Sequence, residues 1–294
     1  MGLELNFLGL SESESDFDSA KTVIVPVPYE RTVSFHGGCS AGPLAIMEAS
    51  RSIELYDDEL DCSPSESGIH TLCEVECDIP PESMAERVKA ECLSSAERGK
   101  FVVTVGGEHS VTAGAFSAQR EIHPDLSVVS IDAHCDLRDT YQGSKLSHAC
   151  VMRRVVETGA TVVETGVRSM SSEEAEFLRE NPAVSVFRAA DITGKDPVSW
   201  SAEIVEKLGE KVYLSVDLDG LDPSIMPSVG TPEPGGLAWA EVTALMRALF
   251  SRREVVAMDV VELSPVPGLR APDVAAAKLI YKAVGYKFAR LVKS

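Results

Sequence analysis

Short apolar runs rich in Val and Ile recur along the chain, and longer stretches with apolar positions every three to four residues lie between them. The runs at residues 22–27, 101–105, 126–131, 161–163, 184–187, 212–216 and 255–261 predict β-strands, and residues 71–75 carry a fainter version of the same pattern. Helices are predicted over residues 42–56, 82–98, 111–120, 148–157, 171–179, 197–208, 238–250 and 272–291. Ser171 and Ser172 before acidic Glu173 and Glu174 suit a helix start, and Pro272 suits a first helical turn. Regular strand–helix alternation predicts an α/β fold with a mainly parallel sheet covered by helices on both faces. The near-uniform apolarity of the strands agrees, because strands covered on both sides have no solvent face. No linker or repeat interrupts the pattern, and the acidic serine run at residues 11–16 is the one biased segment, so residues 1–294 read as a single domain. In such sheets ligands bind beyond the carboxyl ends of the strands, so functional motifs should begin where strands stop.

Composition narrows the class. The hydrophobic share of 44% and charged share of 25% suit a globular chain with a full core. No apolar run reaches the roughly 18 residues that suggest a membrane span. The start, Met1-Gly2-Leu3-Glu4, lacks the basic residues and apolar stretch of a secretory signal, which predicts a cytoplasmic protein. The net charge of −19 disfavours nucleic acid as a partner and is compatible with a small cationic substrate, although solubility or a salty cytoplasm is the plainer reason for it. Seven scattered cysteines do not form a disulfide framework, and Cys62, Cys73 and Cys77 lack the second thiol pair of a structural zinc site.

Four predicted strands end in chemistry. Residues 101–105 run into Gly106-Gly107-Glu108-His109-Ser110, and 126–131 into Asp132-Ala133-His134-Cys135-Asp136. Residues 212–216 run into Asp217-Leu218-Asp219-Gly220, and 255–261 into Glu262. In extended chain alternate side chains share a direction, so Asp132, His134 and Asp136 are expected to face one point, as are Asp217 and Asp219. Four carboxylates brought together uncompensated would have to take up protons; divalent cations relieve that repulsion. Oxygen and nitrogen donors without thiolate suit manganese, with zinc, iron, cobalt and nickel as alternatives. Six ligands can hold two ions and leave room for a bridging water. Singly, each piece has a plain structural reading: a histidine after Gly-Gly is ordinarily a loop residue, and Asp-x-Asp-Gly an ordinary turn. A calcium loop beginning at Asp217 fails, because its sixth and twelfth positions are Asp222 and Ser228 rather than Gly and Glu.

The motifs Gly-Gly-Glu-His-Ser, Ser-Ile-Asp-Ala-His-Cys-Asp, Ser-Val-Asp-Leu-Asp-Gly-Leu-Asp-Pro and Asp-Val-Val-Glu resemble, in order and spacing, those of the ureohydrolase family of arginases and agmatinases. The resemblance runs from about Pro26 to the last helix. It implies a three-layer α/β/α sandwich around an eight-stranded parallel sheet, two manganese ions, and assembly into trimers or hexamers. It implies one ion held by His109, Asp132, Asp136 and Asp217, and another by His134, Asp132, Asp217 and Asp219, with Asp132 and Asp217 bridging. Glu262 and Thr231 would meet the guanidinium, Asp136 would transfer the proton to the leaving amine, and His148 would exchange protons with solvent. The arginase loop that grips an α-amino acid is missing from residues 137–148, and the 230–236 segment is more like that of agmatinases. This favours agmatine, cleaved to putrescine and urea in polyamine biosynthesis. Asp139, Tyr141 and Glu233 are candidates for the amine end. Arg138 and Lys145 could instead pair with a carboxylate, leaving arginine, guanidinobutyrate and aminopropylagmatine as alternative substrates. Single-metal deacetylases of related fold, and a non-catalytic metal-binding paralogue, fit the six intact ligands less well. His36 is assigned a loop role.

Overall fold

In a computed structural model, residues 6–293 are described; residues 1–5 and 294 lie outside, and with them the start of the chain on which the absence of a secretory signal was read. The strands are β1 (Thr22–Val27), β2 (Ile69–Thr71), β3 (Phe101–Gly106), β4 (Ser127–Ile131), β5 (Val162–Val167), β6 (Val184–Arg188), β7 (Lys211–Asp217) and β8 (Glu254–Val261). They form one sheet in the order β2-β1-β3-β8-β7-β4-β5-β6, and every pairing is parallel. The helices are α1 (Gly42–Ser50), α2 (Pro81–Ala96), α3 (Thr112–Ile122), α4 (Val151–Glu157), α5 (Ser172–Glu180), α6 (Ala189–Ile192), α7 (Pro197–Glu206), α8 (Trp239–Arg252) and α9 (Ala271–Val292).

Alternation along the strands divides the core. Val23, Val25 and Val27 of β1 pack with Met84 and Val88 of α2, Phe116 of α3 and Met152 of α4 on one face. Ile24, with Leu214 of β7, joins Ile46 of α1, Ile204 of α7, Leu245 of α8 and Ile280 of α9 on the other. Burying each such side chain contributes about 1.5–3 kcal/mol relative to exposure. Helix starts follow local chemistry. Ser171 and Glu174 form a reciprocal capping box on α5, and Asp196 accepts the Val198 and Ser199 N–H groups ahead of Pro197 in α7.

Three expectations shift. The edge strand β2 covers Ile69–Thr71 rather than 71–75: the regular ladder with β1 ends at Thr71, and beyond it the Leu72 and Val75 N–H groups donate to the Ile24 and Pro26 carbonyls. The helix expected over 42–56 stops at Ser50, leaving Leu55 and Tyr56 exposed beyond it. The four-residue α6 is too short to carry a period and went unpredicted. All seven cysteines are free thiols. Among the described residues, no helix is long and apolar enough to cross a membrane.

Candidate metal centre

The four strands whose ends carry the motifs, β3, β8, β7 and β4, are neighbours in the middle of the sheet. Their carboxyl ends are locked to one another. Gly107 follows β3 so close to the Tyr29 backbone that a Cβ there would sit 2.1 Å from the Tyr29 carbonyl oxygen, so no side chain fits. The Gly107 carbonyl accepts the Glu262 N–H at 2.7 Å, and Glu262 Oε1 accepts the His109 N–H at 2.6 Å. Glu262 holds this clamp in a left-handed conformation, φ 67°, uncommon outside glycine.

The acidic side chains converge by turning, not by the expected extended alternation. β4 ends at Ile131, and Asp136 is in left-handed conformation with φ 49°. β7 ends at Asp217, which caps a 3-10 turn over Leu218–Gly220 and accepts the Asp219 N–H at 2.9 Å. His109 Nδ1 then lies 3.0 Å from Asp136 Oδ2, 3.2 Å from Asp132 Oδ2 and 3.4 Å from Asp217 Oδ2. His134 Nδ1 lies 3.1 Å from Asp219 Oδ2 and 3.6 Å from Asp132 Oδ1. Two sets of ligand atoms result, each within 4.8 Å of one another: His109, Asp132 and Asp217, and Asp132, His134 and Asp219. Asp132 belongs to both.

This arrangement fits divalent cations. Asp132 Oδ2 is buried without an aligned hydrogen bond, a donor atom that a positive ion would satisfy. Protonation states point the same way. Burial opposes charge on His134, yet the Asp132 and Asp219 carboxylates overcome it and push its pKa up to about 12. Burial likewise opposes charge on His109, and Asp132, Asp136 and Asp217 raise its pKa well above the ordinary value. Burial and the Asp132 charge move Asp136 up to about 7, and burial with the Asp219 and Asp132 charges raises Asp217 strongly. The cage attracts positive charge, and in the bare protein protons supply it.

One imidazole has a built support. His109 Nε2 lies 2.9 Å from Ser215 Oγ, which donates at 2.7 Å to Asp259 Oδ1; Tyr213 donates to Asp259 Oδ2 at 2.7 Å. The single serine proton goes to Asp259, so His109 Nε2 must donate and Nδ1 is the atom free to ligate. Sequence reading passed over Ser215 and Asp259. The signal was there: polar residues inside apolar strands require buried partners.

A cavity of about 210 Å³ opens onto the cage. His134, Asp136, Asp217, Asp219, Thr231, Glu262, His148 and Tyr141 all line it, while His109 and Asp132 are fully buried behind Asp136, Asp217 and His134 and do not line it. Thr231 Oγ1 donates to Asp219 Oδ2 at 3.0 Å. The His148 N–H donates to Thr32 Oγ1 at 3.0 Å, its Nδ1 lies 3.3 Å from the same oxygen, and its Nε2 lies 3.4 Å from Ser34 Oγ. Thr32 in turn donates to buried Glu108 at 2.8 Å. Burial lowers the His148 pKa against the opposing pull of Glu108.

Other candidates fall elsewhere. Asp139 is outside the cavity lining, its carboxylate 3.0 Å from Arg154 Nη2 and 3.3 Å from Lys145 Nζ, because those two cations offer it a nearer partner than the cavity does. That pairing also occupies Lys145. Arg138 lines the cavity with its guanidinium 5.2 Å from the centre of the Tyr141 ring. Glu233 contributes its main-chain carbonyl to Arg168. His36 is exposed, edge-on to Phe35. Ser34, Met170 and Glu174 line the cavity and were not anticipated as site residues. Glu174 was visible as a helix-capping residue, and its position just beyond β5 was the clue that it faces the site.

A profile described as the arginase family matches residues 20–285. The N(1)-aminopropylagmatine ureohydrolase of Synechocystis sp. is 42% identical over 94% of this chain and 92% of its own. The agmatinase of Pyrococcus horikoshii is 34% identical over 92% of this chain and 93% of its own. The crystal structure of the agmatine ureohydrolase of Thermoplasma volcanium superposes with a TM-score of 0.86 at 32% identity, covering 95% of this chain and 94% of that one.

Proposed function

The chain belongs to the arginase family, and from that premise we propose that it hydrolyses the guanidinium group of an amine-ended guanidine, N(1)-aminopropylagmatine, releasing urea and the corresponding triamine. The observation that carries the reaction is the pair of carboxylate–imidazole sets sharing Asp132 at the base of a cavity. The choice of the longer substrate rests on relatedness: the Synechocystis enzyme named for it shares more sequence with this chain than the Pyrococcus agmatinase does. Agmatine, the preference drawn from the motifs alone, is the second reading; the agmatinase-like segment around Thr231 favours it.

Two divalent ions, manganese by donor type, would be held by His109, Asp132, Asp136 and Asp217 and by His134, Asp132, Asp217 and Asp219; when bound they supply the Lewis acidity that makes water a nucleophile at neutral pH. The rest falls to the chain's own groups. Glu262 has one oxygen tied to the His109 N–H, so its other oxygen is oriented for a guanidinium N–H. Thr231 donates its proton to Asp219, which leaves its oxygen as an acceptor for substrate N–H. Asp136 takes the proton from the attacking water and passes it to the leaving amine. His148, with a lowered pKa, is neutral at pH 7 and accepts or returns protons at the mouth of the cavity. Tyr141 and Glu174 line the wall along which the amine-ended tail would run. The reading extends to a cytoplasmic homo-oligomer, trimer or hexamer, serving polyamine biosynthesis.

The test is urea release from the manganese-loaded protein with aminopropylagmatine, agmatine, guanidinobutyrate and arginine at equal concentrations. Aminopropylagmatine should give the highest kcat/KM. A preference for agmatine selects the second reading, a preference for arginine removes both, and no urea from any of the four removes the hydrolase reading itself.

A further inference from the structure

Arg168 follows β5 and is half-buried beside the cage, with its hydrogen bonds directed to main-chain carbonyls. Nε donates to the Glu233 carbonyl at 3.1 Å. Nη1 donates to the carbonyls of Gly166 at 3.1 Å and Gly220 at 3.3 Å. Nη2 donates to Asp219 at 2.7 Å, Glu233 at 2.8 Å and Leu221 at 3.3 Å. All five N–H groups of the guanidinium are thereby engaged. The backbone is used as well: the Arg168 and Ser169 N–H groups donate to the Ala133 carbonyl, between Asp132 and His134, at 2.9 and 3.0 Å. One residue therefore touches the loop after β4, the turn after β7 and the segment carrying Thr231. The fit is close, since a Cβ on Gly236 would come within 2.7 Å of Arg168 Nη2.

The residues so held are those of one half of the cage. Asp219 gives its carbonyl to Arg168 and its Oδ1 to the Ala133 N–H at 3.0 Å, while its Oδ2 faces His134 and Thr231. His109 is supported separately, through Ser215 and Asp259. We infer that Arg168 is a positioning residue for the Asp132–His134–Asp219 cation site, its planar fork setting the Asp219 turn and the Thr231 segment at the spacing a second ion requires. Lysine could not replace it, because three donors on one nitrogen cannot reach carbonyls on three separate segments. The inference rests on reading the cage as a two-cation site.

The test compares manganese binding by wild-type, Arg168→Gln and Arg168→Lys proteins. Calorimetric titration gives affinity and stoichiometry, electron paramagnetic resonance detects an exchange-coupled ion pair, and the urea assay gives kcat and KM. Both variants should bind one ion as the wild type does, bind the second ~10–100-fold more weakly and lose the coupled-pair signal at equimolar metal. Activity should return at high manganese, which damage spread through the fold would not permit. Two ions bound with wild-type affinity by Arg168→Gln overturn the inference, as does wild-type behaviour of Arg168→Lys, which would make charge sufficient. If Arg168→Gln does not fold, Arg168→Lys decides alone. A wild-type chain that binds no second ion overturns the two-cation reading and the inference with it, an outcome distinct from loss confined to the variants.

Discussion

The two halves of the candidate metal centre are built differently. The His109 half is set into the sheet: its imidazole side chain is 1% exposed and backed by Ser215, Asp259 and Tyr213 on β7 and β8. The His134 half is assembled from loops, with an imidazole 26% exposed at the cavity wall, and it depends on Arg168 and Thr231 for its shape. One half is rigid because the core is rigid; the other holds its form only while its turns are tied. Side chains mounted on regular elements are held more tightly than those on loops. The difference predicts that the first ion is bound tightly and the second exchanges more freely.

The largest effect should come from Asp132, which belongs to both sets of ligand atoms. Asp132→Asn should lower the affinity for both ions by more than ~100-fold and abolish urea release, measured by metal analysis after gel filtration. If only one ion is lost, the sharing of Asp132 is wrong. Next, His109→Asn and His134→Asn should separate. The former strands Ser215 and the carboxylate behind it, destabilising the metal-free fold by about 1–3 kcal/mol in a denaturant titration, whereas the latter loses only its pairing with Asp132 and Asp219 at the more open wall and should destabilise less while removing the second ion. Equal destabilisation would erase the contrast. Asp259→Asn sharpens it further, weakening the first ion ~10-fold through the Ser215 bridge and sparing the second.

A pH series probes the open half. His134, pushed up to about 12 by Asp132 and Asp219, carries a proton at neutral pH in the metal-free protein. An ion must displace that proton, so affinity for the second manganese should climb between pH 6 and 8, and binding heats should depend on the ionisation enthalpy of the buffer. Binding without proton release would remove the imidazolium from the empty cage. The smallest effect is expected from Thr231→Val, a few-fold rise in KM from a lost bond of about 1 kcal/mol, with ion stoichiometry unchanged.

What could be read beforehand follows the same division. Val- and Ile-rich runs mark seven of the eight strands, since strands covered on both faces must be apolar throughout. Six cage residues are legible because they stand where those runs stop. Segments too short for a period, such as Ile69–Thr71 and Ala189–Ile192, carry no such mark. Arg168 is invisible for another reason: its partners are carbonyl oxygens, which every residue has, and only the folded backbone brings them together. Asp136 shows a third limit, because its place in the cage depends on a left-handed turn that no spacing rule specifies. Asp139 shows a fourth, as an acidic residue near a site joins it only when no cation stands closer.

The strand order carries a consequence for how the molecule comes into being. A ribosome delivers β2, β1 and β3 as one ribbon and β4, β5 and β6 as another, and the two do not touch edge to edge. The strands that join them, β7 and β8, are the last two synthesised, and they slot into the middle. Until Glu262 has left the exit tunnel, the nascent chain is two half-sheets with apolar edges open to aggregation. Metal capture by the whole cage therefore waits for β7 and β8 to bring the two half-sheets together, and a chain truncated before β8 should fail to load metal.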